Sequence, residues 1–352
     1  MRLDLHRHLE GSHSPRALLA VARAHEVRRS AFFDARANVW RDETDVSKTL
    51  VLGGPSDDAT SFYRCIVKAR AAYVSVAAIG ELARLAFDEA ALETDGLEMR
   101  ISLFSMTRTL LENQGRVWRD LAPLGFADEY ARPILLAVLQ ARDESQRATG
   151  KPMLVRLGLS RTFESEPHYA ALADMITDHA SDLVGLDVLG IISGPDKEPL
   201  PPPLLAVLAR MRRSLPDLTI HAGEFEGYAS VDRCLALEPR GIGHGIRSLE
   251  SEATLAALVR QGVTLEVCPT SNRMLIPSEL TKLERAHGTP LRALQAKNVH
   301  CVLGSDDPTP LATSFSEEHR LAARLGVDMA RLKEDSVRRW TEITGSAPRA
   351  SS

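Results

Sequence analysis

The chain contains no apolar run of about 18 residues, so nothing in it reads as a membrane-spanning helix. Its four cysteines in 352 residues (Cys65, Cys234, Cys268 and Cys301) are scattered, without a C-x-x-C pair. That excludes a disulfide framework and predicts reduced thiols in a cytoplasmic protein. No G-x-G-x-x-G follows the first apolar segment, so the dinucleotide-binding fingerprint is missing. Charge is nearly balanced, with 43 Lys and Arg against 47 Asp and Glu and a net charge of -4. This argues against a nucleic-acid surface. Low-complexity tracts are missing too, and charged, histidine-rich sequence begins at Arg2, so no secretory signal is expected.

What is present is an ordinary globular composition, 44% hydrophobic and 26% charged, enough to bury a core without cross-links. Short apolar runs alternate with long helical patterns, the signature of parallel βα units. Strands are expected at 2–8, 97–104, 152–159, 183–190, 217–223, 240–245, 263–269 and 299–307. Eight such strands with helical returns predict an α/β fold, a closed (β/α)8 TIM barrel forming a single domain over 1–352. A doubly wound open sheet is the alternative topology. The stretch of about 15–95 is too long for one crossover helix, and "LVLGGPSDDATS" inside it reads as a loop between helices. It is expected as a helical insertion after strand one, either a surface embellishment or a lid over the C-terminal face.

Polar residues then fall into a pattern. His6 and His8 share one face of strand one, because side chains alternate with period two. His221 ends strand five in "TIHAGE", His244 ends strand six in "GIGHG", and Asp306 and Asp307 end strand eight in "LGSDDP". Taken singly, His244 fits a hydrogen-bonded structural histidine and Asp-Asp-Pro fits a turn. Taken together, they sit at the same end of several strands, which a barrel brings to one rim. Three neutral imidazoles and one carboxylate suit zinc best, with iron or manganese as alternatives. Such an ion makes a water nucleophilic at neutral pH. Glu224, three residues after His221, would lie beside it as a proton carrier if burial raises its pKa. The chemistry implied is metal-assisted hydrolysis.

"HRHLEGS", "HAGE", "GIGHG", "VCPTSN" and "SDDP", in this order, resemble the adenosine deaminase family of metal-dependent purine deaminases. The resemblance spans nearly the whole chain. It implies one zinc per chain held by His6, His8, His221 and Asp306. Glu224 would protonate purine N1, His244 would orient and help deprotonate the attacking water, and Asp307 would hydrogen-bond N7. The substrate would be a small-molecule purine, with neither nucleic acid nor membrane as partner. Gly190 in "GLDVLG" stands where the family's backbone N–H meets purine N3. Gly194 is its rival, because the acidic residue expected soon after Gly190 is replaced by "IISGPDKEP". Glu98 and Arg100 alternate on strand two as a hydrogen-bonded pair near the site.

Glu10, in "HLEG", departs from the aspartate of adenosine-specific members and resembles the adenine and aminodeoxyfutalosine deaminase branches. The expected function is deamination of the 6-amino group of adenosine or a related adenine compound, with those two branches as alternatives. A binuclear amidohydrolase is a further alternative, weakened because "LVGLDVLG" offers no bridging lysine. A catalytically idle barrel is another, weakened because every motif residue is present. The N9 substituent and the oligomeric state stay open at this stage.

Overall fold

The structure is a computed structural model and describes residues 1–162, 165–192 and 196–348. Eight strands carry the fold: β1 (Leu3–His8), β2 (Gly96–Ile101), β3 (Met153–Ser160), β4 (Leu186–Leu189), β5 (Leu218–Ala222), β6 (Gly241–His244), β7 (Thr264–Val267) and β8 (His300–Leu303). Each pairs in parallel with its neighbour in chain order, and helices return on the outside. The ring closes through a parallel bridge between Arg7 and Asp306. There Asp306 N–H donates to the His6 carbonyl and His8 N–H donates to the Asp306 carbonyl, both at 2.8 Å. This is the expected (β/α)8 barrel.

Several strands stop earlier than alternation predicts, and each stop has a local cause. β2 ends at Ile101 because a helix begins at Leu103. β7 ends at Val267 before Pro269, which opens another helix and cannot donate to a ladder. Beyond Leu303 the chain leaves the β8 ladder, and Asp306 adopts φ +60°. β1 carries a register shift between Asp4 and Arg7. Such an irregularity re-aims side chains at a barrel rim. The buried Asp4 carboxylate fills it, accepting from His6 N–H (3.3 Å), Ser305 N–H (3.2 Å) and Ser305 Oγ–H (2.5 Å).

Between β1 and β2 lie α1 (Pro15–Ala24), a two-stranded ribbon of Phe33–Asp34 with Val39–Trp40, α2 (Glu43–Leu50), α3 (Thr60–Ala69) and α4 (Val76–Ala91). Ser14 and Ser75 cap α1 and α4 by accepting from Ala17 N–H and Ala78 N–H, which satisfies donors a helix start leaves free. α4 packs along the helix Arg132–Thr149 in the outer ring.

The aliphatic core lies between strands and helices, while part of the barrel interior is charged. Arg156 Nε and Nη2 donate to both oxygens of Glu98, at 2.7 and 2.9 Å. Arg339, from the C-terminal helix Met329–Thr344, donates to both oxygens of Asp217, at 2.8 and 2.7 Å. Arg156 also reaches Asp217, at 2.8 Å. Next to Arg339, Trp340 packs with Leu3, Leu5 and Val302, so the last helix locks the first and last strands together. Trp340 is 2% exposed, and truncating it leaves a cavity that packed strands cannot fill. Trp340→Ala is expected to lower stability by about 3–5 kcal/mol, measured as a reduced urea midpoint with unchanged slope.

Candidate active site

Strand ends bring the polar groups to one rim. Two of those ends are in an unfavourable backbone conformation: His244 has φ +59° and Asp306 φ +60°. The left-handed region costs a side-chain-bearing residue roughly 1–3 kcal/mol, and such strain concentrates at functional sites. Close packing adds to it. A Cβ on Gly304 would stand 2.3 Å from His6 Cβ, and one on Gly11 would stand 1.8 Å from Asp307 Oδ1. The glycines of "LGSDDP" and "HLEGS" therefore let the backbone press against these side chains.

His8 Nε2 lies 3.3 Å from both His6 Nε2 and His221 Nε2, and 3.4 Å from Asp306 Oδ1. His6 Nε2 lies 3.7 Å from the same carboxylate oxygen. The Nδ1 of His6 lies 3.1 Å from Glu266 Oε2, with Arg100 Nη1 beside both nitrogens of that ring, and the Nδ1 of His221 lies 3.0 Å from Asp187 Oδ1. A proton on Nδ1, donated to the carboxylate, leaves the Nε2 lone pair of each ring facing one point. Burial, Arg100 and the neighbouring imidazoles push His6 well below its ordinary pKa; burial, His221 and Arg100 do the same to His8. Lone pairs facing one another at this range repel unless a cation lies between them. Donors about 2.0–2.1 Å from a tetrahedral metal ion stand about 3.3 Å apart, so these residues fit one. His6, His221, His244 and Asp306 also each bring one ligand atom within 4.8 Å of the others.

Beside this cluster, Glu224 Oε2 lies 3.5 Å from His244 Nε2. Burial, reinforced by Asp306, Glu198 and Asp307, raises the Glu224 carboxyl well above its usual value, which favours its protonated form. Asn272 Nδ2 lies 3.2 Å from His244 Nδ1, and an N–H donated there leaves that ring's proton on Nε2, facing Glu224. Burial, Asp306 and Glu10 likewise raise Asp307. A protonated carboxyl there can donate to a ring nitrogen. A dication at the imidazoles would pull these carboxyls back toward ionisation.

The cavity over this rim is lined by His8, His221, Glu224, His244, Asp306 and Asp307, with Glu10 and Gly190 at its sides. Glu10 is 3% exposed, and its Oε1 accepts from Ser102 N–H (3.0 Å) and Arg70 Nη2 (3.3 Å). Gly190 has φ +83°, and its carbonyl accepts from Arg161 Nη1 at 3.0 Å. Gly194, the rival to Gly190, lies outside the described residues. α3 contributes Phe62, Tyr63 and Ile66 as an apolar wall.

Sequence analysis did not single out Asp187, Glu266, Asn272 or Glu198. Asp187 and Glu266 orient two imidazoles, and the signal for both is a carboxylate in the middle of a buried strand, where unpaired charge is rarely found. Arg100 binds both and Glu98 as well, within the same buried set. The imidazole of His221 and the Arg100 guanidinium hold the Asp187 carboxyl well below its usual range against the opposing effect of burial. Glu198 accepts from the backbone N–H groups of Gly223, Glu224 and Phe225, at 2.9, 3.2 and 2.9 Å. It is an acidic residue eight positions after Gly190.

A family model described as "Adenosine deaminase" matches residues 2–340. An adenine deaminase from Chelativorans sp. (strain BNC1) is 27% identical over 334 residues, covering 93% of this chain and 89% of that protein. Among solved structures, adenine deaminase from Arthrobacter aurescens superposes with a TM-score of 0.72 at 19% identity, covering 96% of this chain and 93% of the other. A zinc-bound amidohydrolase from Burkholderia ambifaria gives 0.70 at 16% identity, covering 96% and 85%.

The orienting carboxylates can be tested apart from turnover. Asp187→Asn keeps an acceptor for His221 Nδ1–H but removes the charge that strengthens the imidazole as a ligand. It is expected to weaken metal retention about 10- to 100-fold, read as metal content after dialysis against a graded chelator series. Retention equal to the parent protein would show that the Asp187–His221 contact is structural alone.

Proposed function

The chain belongs to the adenosine deaminase family, and on that premise we propose that it hydrolyses the 6-amino group from an adenine-type compound, leaving a 6-oxopurine and ammonia. One observation carries the proposal: a buried Glu224, its carboxyl raised above the usual range by burial, stands beside a cluster of imidazoles and a carboxylate at donor spacing for one ion. We assign that ion as zinc, held by His6, His8, His221 and Asp306, because this nitrogen and oxygen set at tetrahedral spacing suits it. When bound, zinc makes a water molecule nucleophilic at neutral pH.

The protein's own groups do the rest. Asp307 donates to purine N7, and the backbone at Gly190 meets the other edge of the base, which sets C6 over the imidazole cluster. Glu224 gives its proton to N1, drawing electrons away from C6. His244, with its ring proton on Nε2, hydrogen-bonds the attacking oxygen and orients it. As the new C–O bond forms at C6, one proton of the attacking water returns to Glu224 and the other passes to the amino group, whose C–N bond then breaks to release ammonia. Burial of the rim keeps these charges strong and restricts access of bulk water.

The relatives named adenine deaminase support the free base as one substrate, and Glu10 is compatible with it. β4 ends without a lysine, which disfavours a binuclear site. We place the enzyme in the cytoplasm, where its four buried, free cysteines remain reduced.

Ammonia release from adenine, adenosine and methylthioadenosine by zinc-loaded protein tests the proposal. Glu224→Gln is expected to retain zinc and lose at least about 100-fold in kcat, the scale of a general acid. Near-parent turnover would overturn its role. Because the protonated Glu224 carboxyl is the acid, kcat/KM of the zinc-loaded protein should fall as pH rises through the Glu224 pKa, and Glu224→Gln should remove that limb of the profile.

A further inference from the structure

We propose that Glu198 is a positioning residue for the reaction: its buried carboxylate clamps the turn 223–225 and so holds Glu224 beside His244. β5 stops at Ala222, and the next three backbone N–H groups have no strand to pair with. Such groups need an acceptor wherever water is excluded. All three converge on one side chain. Glu198 Oε2 accepts from Gly223 N–H at 2.9 Å, and its Oε1 accepts from Glu224 N–H and Phe225 N–H at 3.2 and 2.9 Å. Consecutive N–H groups aim at one anion only where the backbone curls, and Gly223 supplies the curl with φ +65°. A Cβ on it would stand 2.7 Å from Val231 Cγ2. Ser230 Oγ shares the Gly223 N–H at 2.8 Å. Among the described residues, Glu198 alone accepts from the other two.

The clamp is fixed from the other direction as well. Glu198 N–H donates to Glu226 Oε2 at 3.1 Å, and Glu226 Oε1 accepts from Arg233 Nη2 at 2.7 Å. Arg233 rides on the helix Tyr228–Leu235. The segment after β4 and the turn after β5 thus each bind the other's backbone with a carboxylate. Glu198 is 1% exposed and does not line the catalytic cavity, so it reaches no substrate. It acts through Glu224, which does line the cavity and whose Oε2 stands 3.5 Å from His244 Nε2. A released turn would let the Glu224 carboxyl drift from purine N1, and a displacement of about 1 Å costs a catalytic group on the order of 100-fold. The inference rests on the acid role proposed above for Glu224 and adds the residue that aims it.

The test is a double-variant cycle in the zinc-loaded protein, with ammonia release from the best of the three adenine compounds above as the readout. Glu198→Ala is expected to lower kcat about 30-fold or more while KM stays within about threefold, because only the transition state uses the aimed acid. Glu198→Gln keeps one carbonyl oxygen for the turn, is expected to lose about three- to tenfold, and serves if the alanine variant does not fold. In a Glu224→Gln background either change should cost less than about twofold, since no acid remains to be aimed. The same loss in both backgrounds overturns the inference, because the role would then be structural alone. So does a raised KM with parent kcat, or a loss of turnover that tracks lost zinc. If the parent protein releases ammonia from no compound, the deaminase proposal fails, and hydrogen exchange still decides the clamp. Exchange in the peptide spanning 222–227 should rise about tenfold or more in Glu198→Ala, with the strand amides unchanged. Unchanged exchange there overturns it.

Discussion

The bridge between the first and last strands is the contact on which the rest of this protein depends. Asp306 N–H donates to the His6 carbonyl, and His8 N–H donates to the Asp306 carbonyl. The same three residues carry the side chains that face one point at 3.3–3.7 Å. Barrel closure and the assembly of the candidate metal ligands are therefore one event. Residues separated by about 300 positions must pair before any of this site exists. The left-handed backbone at Asp306 is the strained conformation that lets its amide and carbonyl serve the seam while its carboxylate faces the imidazoles.

Behind the seam, part of the barrel is filled by paired charge rather than by aliphatic layers. Contacts run from Arg339 through Asp217, Arg156 and Glu98 to Arg100, then to Glu266 and Asp187, and from these to His6 and His221. Buried ion pairs are a weak source of net stability, because desolvation offsets the attraction. Their value here is geometric. Each carboxylate that orients an imidazole is itself held by an arginine, so rotating one ring would strand a buried charge several kcal/mol uphill. The C-terminal helix takes part through Arg339 and Trp340, which couples the far end of the chain to ligand orientation at the rim.

The substrate side is built differently. The polar groups of the rim sit at strand ends and are immobilised by neighbours, whereas the wall opposite them comes from α3 and the turn after it. That wall mixes apolar side chains at Phe62, Tyr63 and Ile66 with the cation of Arg70. The strands present the polar rim, and the segment between β1 and β2 walls the cavity above it. Such division is common in barrels, where insertions vary over a constant rim.

Much of the fold was legible in the chain because barrel strands and return helices have different hydrophobic periods, and both periods are local. His6, His8, His221, His244, Asp306 and Asp307 were legible for a related reason, since each is a chemically reactive residue at the end of an apolar run. Glu198 was not, because its place beside Glu224 follows from the path of a loop rather than from spacing. Asp187 and Glu266 were visible as misplaced charges but not as orienters of His221 and His6, since cross-strand partners depend on barrel register. Strand endings at Ile101 and Val267 were set by helices starting early, and that at Leu303 by the chain leaving the ladder on its way to the seam at Asp306. The amino-acid order alone determined which residues could do chemistry and which strand each would ride on. Tertiary structure decided which imidazole meets which carboxylate and how the ring closes. Those are long-range contacts whose geometry no local pattern encodes.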